Sequence, residues 1–181
     1  MITILHSHEY DYNVYKDTLH NISRINIQYE EIPFLIQEEY CDKLTNLREL
    51  RMTECKLKEI PKYISKLNSL EIISFSHNNI VEIPDELFQL PNLHSLILMS
   101  NNIKNIKCDL TKIKIRFLNL RFNFIEDLSG IIIENSDYRF VCVSDNPLLG
   151  VEESDFTTFK NVHEKNINYI KAMNGKKRVF I

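Results

Sequence analysis

The sequence contains few of the residues and runs that characterise several common classes of protein. It has three glycines, five prolines and no tryptophan among its 181 residues. Loops that bind phosphate groups need several closely spaced glycines, so a nucleotide-binding loop is not expected. The scarcity of glycine and proline and the lack of any low-complexity run also argue against flexible linkers and disorder.

Neither sign of charge dominates, and no long apolar run is present. The 22 basic and 25 acidic residues are interspersed and leave a formal net charge of −3. Proteins that bind nucleic acid or an anionic membrane surface favour a basic face, so we expect neither partner. No stretch of about 18 apolar residues could form a membrane span. Residues 1–15 lack the basic start and the apolar run of a signal peptide, and we expect none.

The cysteines and the overall composition indicate the cellular setting. Cys41, Cys55, Cys108 and Cys142 lie far apart, which fits reduced thiols in a cytoplasmic protein. An apolar fraction of 44% is enough for the core of one domain. The 25 isoleucines and 19 asparagines indicate an A/T-rich genome, such as that of a protist, a giant virus or an intracellular bacterium.

One stretch, residues 70–90, contains a pattern that is repeated along the chain. Its sequence, LEIISFSHNNIVEIPDELFQL, has apolar residues at positions 1, 4, 6, 11 and 14 and asparagine at position 9. The next unit begins at Leu93, 23 residues later. Positions 4 and 6 are two apart, as in a strand with one buried face, and such a strand needs copies on both sides. A fixed period of this length predicts a solenoid.

The pattern predicts two buried columns and one polar column that run from strand to strand. Position 4 holds Ile2, Ile25, Leu50, Ile73, Leu96, Leu118 and Val141. Position 6 holds Ile4, Ile27, Met52, Phe75, Leu98, Leu120 and Val143. Position 9 holds Cys55, Asn78, Asn101, Asn123 and Asn146. We expect the asparagine amides to pair with backbone groups where the chain leaves each strand, because an unpaired buried group is costly.

The segments between the strands are expected to differ from one another. The tail I-P-x-x-L-x-x-L predicts a short helical return, because proline presets a helical turn and the apolar spacing keeps one face inward. Residues 32–44 have room for a fuller helix. The segment after Ile106 lacks the proline, so an irregular return is expected there.

The repeats end in atypical segments, as a solenoid requires where it meets water. We expect one domain over residues 1–181, with an N-terminal cap of degenerate repeats over 1–40, regular repeats over 41–150 and a C-terminal cap over 151–181. Helical spacing predicts an amphipathic helix that begins at Ser154 or Asp155, includes Ile170 and stops at Asn174 and Gly175. This helix would cover the edge of the last strand.

The spacing resembles the leucine-rich repeat family, and the proline-containing tail resembles its intracellular L-P-x-x-L-x-x-L subclass, typified by Ras-suppressor-like proteins. The resemblance covers roughly residues 22–150. It implies an α/β fold: a right-handed solenoid with a curved parallel sheet on the concave face, short helical or 3-10 segments on the convex face and a C-terminal capping helix. It also implies a monomeric, non-enzymatic module without metal or cofactor, which binds a protein partner as an adaptor or regulator of a signalling or host pathway.

In this family the concave face carries the binding residues. The expected partner-binding set is Arg51, Ile72, Ser74, Ile97, Met99, Phe117, Asn119, Arg121, Phe140 and Cys142. The N-terminal half of this face is charged (Arg48, Glu49, Arg51 and Glu54), whereas the C-terminal half is apolar with flanking arginines, the composition of protein-binding hot spots. The alternative is that some apolar members, Phe122 above all, pack into the core.

Other chemistry is weaker in the sequence. The run His6-Ser7-His8-Glu9 has the alternation of a metal site, but no further ligands are near, so a solvated cap is favoured. Cys142 is interpreted as a shielded structural thiol rather than a reactive one. The lysines at 104, 107, 112 and 114 are interpreted as a solvated face. The alternative functions are an enzyme-associated subunit, a ubiquitin-pathway effector and a structural or virion-packaged protein.

Overall fold

Parallel strands placed side by side form the main sheet of the computed structural model. The structure describes residues 2–4, 16–29, 38–109, 114–127, 131–132, 140–148, 170–173 and 176–179. The main sheet has seven strands: β1 (Ile2–Ile4), β2 (Ile22–Gln28), β3 (Glu49–Thr53), β4 (Ile72–Ser74), β5 (Ser95–Ile97), β7 (Phe117–Asn119) and β9 (Phe140–Cys142). They follow one another in chain order, and every neighbouring pair is parallel.

The strand register confirms the two buried columns from β2 onward. In the position 4 column each residue faces the next across the sheet: Ile25, Leu50, Ile73, Leu96, Leu118 and Val141. All of them are buried, and so is the position 6 column, in which Phe75 is among the largest fully buried side chains. The two columns form the central part of a single hydrophobic core.

The first strand is displaced from its predicted register. Ile4 faces Ile25 and Ile2 faces Ile22, with an irregularity between Ile2 and Thr3. The prediction that Ile2 aligns with Ile25 is therefore wrong by two residues. A slip of two residues keeps the same side chains on the same face of a strand, so alternation alone cannot distinguish the two registers.

The predicted asparagine column is confirmed, and each amide joins two repeats. The Oδ1 atom of Asn78 accepts hydrogen bonds from the backbone N–H groups of Cys55 (2.9 Å) and Leu57 (3.1 Å) in the previous repeat. Its Nδ2 atom donates to the carbonyl oxygens of Met52 (2.8 Å) and Phe75 (3.0 Å). Equivalent bonds are formed by Asn101, Asn123 and Asn146. At the first member of the column, the Cys55 thiol donates to backbone carbonyls instead.

The predicted helical returns are confirmed where they are described. Two 3-10 helices, Lys62–Lys66 and Asp85–Gln89, begin directly after Pro61 and Pro84. Each buries one apolar residue, Ile64 or Leu87, against the core. The return before β3 contains α1 (Glu38–Cys41), and a further 3-10 helix, Lys16–Asn21, precedes β2.

The return segment without proline is irregular, as expected. Instead of a helix it contains β6 (Cys108–Asp109), which pairs in parallel with β8 (Ile131–Ile132) from the following repeat. The two strands form a separate sheet. Without the fixed φ of proline this return has no preset helical turn, and an extended path pairs its backbone with the neighbouring return.

The C-terminal prediction fails where it can be compared. Ile170, the last apolar residue on the predicted face of the capping helix, begins β10 (Ile170–Met173), which pairs antiparallel with β11 (Lys176–Val179). The two residues between the strands are Asn174 and Gly175, and Asn-Gly is a strong signal for a two-residue hairpin turn as well as for a helix stop. The rest of the predicted helix, 154–169, lies outside the described residues.

The described part of the chain contains no helix of the length and apolar character that a membrane crossing requires. The proposed division at residues 40 and 150 stays a prediction.

Candidate functional site

The concave face is formed by the side chains that alternate with the buried columns. In β3 the pattern is regular: Glu49, Arg51 and Thr53 are partly exposed, whereas Leu50 and Met52 are buried. The same positions in β5 and β7 are partly exposed as well. Because the asparagine ladder and the strand register fix the backbone, the positions of these outward side chains are set before any partner arrives.

The N-terminal half of this face is charged, as predicted, and most of its charges pair with one another. The Glu49 carboxylate lies 3.2 Å from the Arg24 guanidinium and accepts a hydrogen bond from Arg51 Nε. At the beginning of the strands, Arg48 donates to Glu71 at 3.0 Å. Exposed pairs of this kind add little to stability. They do neutralise the paired charges on this half of the face.

The C-terminal half carries apolar side chains that are not fully buried in the core. Ile72, Ile97, Met99 and Phe117 are each partly exposed. Ile97 faces Ser74 and Asn119 on its two neighbouring strands, and Phe117 faces Ser95. On its other side, Phe117 faces Phe140 of β9.

Arg121, Phe122 and Asp145 form a fixed group at the end of β7. Arg121 Nε donates to Asp145 Oδ2 at 2.7 Å, and the Arg121 guanidinium lies 4.5 Å from the centre of the Phe122 ring. The Asn119 side chain accepts a bond from the Arg121 backbone N–H at 3.1 Å. Phe122 is 46% exposed, so the alternative that it belongs to the core is wrong.

Three members of the predicted site do not contribute a described exposed side chain. Ser74 is 6% exposed and Cys142 is 3% exposed. A small side chain between larger neighbours is shielded even on the outward face of a sheet, so we leave both residues out of the contact surface. The backbone of Phe140 lies in β9, but its side chain and Arg139 lie outside the described residues.

One structural feature of the strand ends was missed by the sequence analysis. The residue at position 8 has a positive φ in every described repeat: Tyr29, Glu54, His77, Ser100, Phe122 and Asp145, with φ between 54° and 60°. For residues other than glycine this left-handed conformation costs about 1–2 kcal/mol. Asparagine, aspartate and glycine are the usual signal for it, and only Asp145 belongs to that set, so the residue types gave little indication.

The exposed aromatic residues next to this column were also missed. Phe124 is 52% exposed, and it follows Phe122 by two residues. The sequence pattern assigned the position of Phe124 to no column, so it offered no signal for an exposed ring there.

The thiols show no sign of activation. Cys41, Cys55 and Cys142 form no disulfide bond and are buried. Burial, followed by the nearby Asp42 carboxylate, raises the pKa of Cys41 to about 11, which keeps it a neutral thiol at physiological pH. The Sγ atom of Cys142 lies 3.6 Å from Ser144 Oγ, as expected of a shielded structural residue.

No clustered ligand set is present in the part of the chain that the structure describes: no three His, Cys, Asp or Glu residues there could hold a metal ion together. The run from His6 to Glu9 lies outside that part. Lys104, Lys107 and Lys114 are exposed, in agreement with a solvated face, and Lys112 is not described.

The parallel ladder, the buried columns and the asparagine column define a repeat protein of the solenoid class. Residues 45–103 match the family model described as "Leucine rich repeat". These residues therefore carry leucine-rich repeats, and the chain has the fold of a leucine-rich repeat solenoid. Its place in the intracellular subclass stays a prediction. No curated protein sequence matches the chain.

Two solved structures have a similar fold. The leucine-rich repeat domain of APL1B is 23% identical with a TM-score of 0.59, and the match covers 77% of this chain and 41% of that one. The internalin inlF from Listeria monocytogenes str. 4b F2365 is 20% identical with a TM-score of 0.59, and the match covers 78% of this chain and 46% of that one. This chain thus spans less than half the length of both proteins.

Proposed function

We propose that this protein is a non-enzymatic interaction module that binds a protein partner through its concave face, as a cytoplasmic adaptor or regulator. Leucine-rich repeat domains generally mediate protein–protein interaction. The observation that carries the proposal is the set of partly exposed apolar side chains on β4, on β7 and on or just after β5, namely Ile72, Ile97, Met99 and Phe117. Apolar and aromatic residues near arginines are the composition that protein interfaces favour.

The rigidity of the face supports the same proposal. The backbone under Ile97 is paired on both sides, to β4 and to β7. Asn101 fixes the turn that follows β5 through bonds to Ile80 and Phe75 of the preceding repeat and to Leu98 of its own repeat. Binding to such a surface costs little ordering of the backbone, and preorganisation of this kind increases affinity.

The test compares substitutions on the concave face with substitutions of exposed apolar residues elsewhere. In the first variant Ile97, Met99 and Phe117 are changed to serine, and in the control Val81 and Phe124, which are exposed outside the strands, are changed to serine. We expect the first variant to lose a partner captured by the wild-type protein from cytosol, and the control to retain it. Both should keep the wild-type circular dichroism spectrum.

Two outcomes would overturn the proposal. If the first variant retains the partner as well as the control does, the binding site lies elsewhere. If the first variant unfolds while the control stays folded, the three residues belong to the core and the concave surface has no apolar patch.

A cysteine-dependent activity is not favoured by the described thiols, because all three are buried. We expect a thiol-reactive probe to label Cys142 more slowly than it labels cysteines of the urea-unfolded chain. Faster labelling in the folded protein would favour the enzyme class instead.

A further inference from the structure

The arginines of the concave face differ in whether their charge is neutralised. Residues at position 2 follow one another across the beginnings of the strands, joined by backbone hydrogen bonds: Arg48, Glu71, His94 and Arg116. Arg48 pairs with Glu71 at 3.0 Å, and His94 Nε2 lies 4.0 Å from the same carboxylate. Arg116 is exposed and forms no ion pair with any described residue.

Arg116, the arginine without an ion pair, lies next to the apolar side chains of the C-terminal half of the face. Arg116 directly precedes Phe117, whose strand neighbour β5 carries Ile97, and Met99 lies two residues beyond the end of β5. Arg121, two residues beyond the end of β7, is already neutralised by Asp145. The C-terminal half of the face therefore combines an apolar surface with one cation that has no described counter-charge, whereas Glu49 and Glu71 are already paired with arginines of the N-terminal half.

We propose that this half of the face binds a segment of a partner protein that combines apolar side chains with an Asp or Glu that pairs with Arg116. The inference rests on the proposed function and names the chemistry of the partner. A carboxylate would form a charge-assisted, bidentate hydrogen bond with the guanidinium while neighbouring apolar groups cover Phe117 and Ile97. A purely apolar or basic segment would bury the arginine charge unpaired, which is strongly unfavourable.

The spacing of the strands limits the length of the segment. Neighbouring strands lie about 4.8 Å apart, so β4 to β7 spans about 10 Å. An extended chain rises about 3.4 Å per residue, and a segment that crosses these strands therefore needs about three to four residues. The acidic residue is expected at the end that lies over the beginning of β7, next to an apolar residue that contacts Phe117.

A selection from random peptides tests this inference independently of any natural partner. Peptides of 12 residues are displayed and selected on the full chain, and affinities of the enriched sequences are measured by fluorescence polarisation. We expect enriched peptides to combine Asp or Glu with apolar residues. Arg116→Glu should weaken their binding at least about tenfold, the change that loss of a charge-assisted hydrogen bond produces.

The matched control is Arg48→Glu. It changes an exposed arginine at the same repeat position, but one that is already paired with Glu71. We expect it to alter the affinity less than about threefold, since Arg48 precedes β3, three strands away from β7, and exposed surface pairs are weak. A peptide in which the acidic residue is replaced by lysine should bind Arg116→Glu better than it binds the wild type.

The inference is overturned if no peptide is enriched, if enriched peptides lack an excess of acidic residues, or if Arg116→Glu binds them as tightly as the wild type does. Each of these results leaves the proposed function standing when the serine variant of Ile97, Met99 and Phe117 still loses its captured partner. Retention of that partner by the serine variant would instead reject the proposed function.

Discussion

Asn101 shows how much of the fold depends on single side chains. Its Oδ1 atom accepts the Ile80 backbone N–H at 3.0 Å, and its Nδ2 atom donates to the carbonyl oxygens of Phe75 (2.9 Å) and Leu98 (3.1 Å). The residue is buried, so water does not replace these bonds when the amide is lost. Each group left unpaired costs about 1–3 kcal/mol.

We therefore expect Asn101→Ala to lower the free energy of unfolding by about 3 kcal/mol, measured by urea denaturation. Asn101→Cys should cost less, because the thiol of Cys55 at the equivalent position still donates to the Ile27 carbonyl. The control is Asn105→Ala, at an exposed asparagine, which should change the free energy by less than about 0.5 kcal/mol. Equal losses in the free energy of unfolding for the variants at 101 and 105 would contradict the stabilising role of the asparagine column.

Phe122 and Phe75 show that the same residue type can have opposite roles. Phe75 is fully buried in the position 6 column, whereas Phe122 is exposed and has a left-handed backbone. We expect Phe75→Ala to cost about 3–5 kcal/mol in urea denaturation because it leaves a cavity. Phe122→Asn should leave stability unchanged or raise it by up to about 1 kcal/mol, because asparagine tolerates φ > 0. A loss above about 1 kcal/mol at Phe122 would indicate that its ring is packed after all.

At the scale of elements, the convex returns are joined by contacts between successive repeats. Lys66 in the first 3-10 return donates to Glu38 of α1 at 2.8 Å, and this bond raises the pKa of Lys66. Lys62 lies 3.2 Å from Glu86 of the next return. These exposed pairs are weak, and the buried residues beneath them, such as Cys41 at the end of α1, contribute more.

From the raised pKa of the Cys41 thiol we expect the protein to lose stability at alkaline pH. Its folded pKa of about 11 is above the ordinary value of 9.0, so the folded state binds the proton more tightly than the unfolded state does. The stabilisation that comes from the protonated Cys41 thiol is fully present below pH 9.0 and is lost as the pH rises to about 11. At 1.36 kcal/mol per pKa unit, the loss approaches about 3 kcal/mol.

Urea denaturation at a series of pH values between 8 and about 11 measures this loss. Burial also raises the pKa of Tyr63, followed by the nearby Cys41 thiol, and adds a loss of the same sign. Cys41→Ala is therefore expected to reduce the pH dependence without abolishing it. An identical pH dependence in the variant would exclude Cys41 as its source.

At the scale of the whole molecule, each repeat contacts mainly its neighbours, so the solenoid can be shortened in units. Deletion of residues 70–92 removes one 23-residue repeat and joins Ser69 to Leu93. We expect the product to fold, with Leu50 facing Leu96 in place of Ile73, because Asn101 then occupies the place of Asn78. Circular dichroism should retain its shape, and the urea m-value should decrease with the smaller buried area.

The matched control for this deletion removes about half a repeat, residues 70–81. It brings a return segment to the place of a strand and puts the buried columns out of phase, so we expect loss of cooperative unfolding. Folding of both deletions with similar stability would show that the repeat register does not govern the fold.

The sequence was sufficient for features that depend on local spacing. The columns from Ile25 to Val141, the asparagine ladder and the proline-initiated returns follow from apolar period and residue type, and the structure confirms them. The register of β1 and the strand at Ile170 did not follow, because alternating isoleucines and an Asn-Gly pair each fit two conformations. The binding residues were predicted as positions on a face, and that prediction remains to be tested.

By itself, the sequence determined which side chains are buried in each repeat, because a period of about 23 residues leaves one arrangement that stacks every apolar pair. Tertiary structure decided which outward residues are accessible. Ser74 and Cys142 are shielded by their surroundings, Phe122 is exposed by a left-handed backbone, and Arg48 is neutralised while Arg116 is not. The physical reason is that burial in the core follows from the alternation within one strand, whereas exposure and charge compensation on the surface depend on residues of neighbouring repeats that are distant in the sequence.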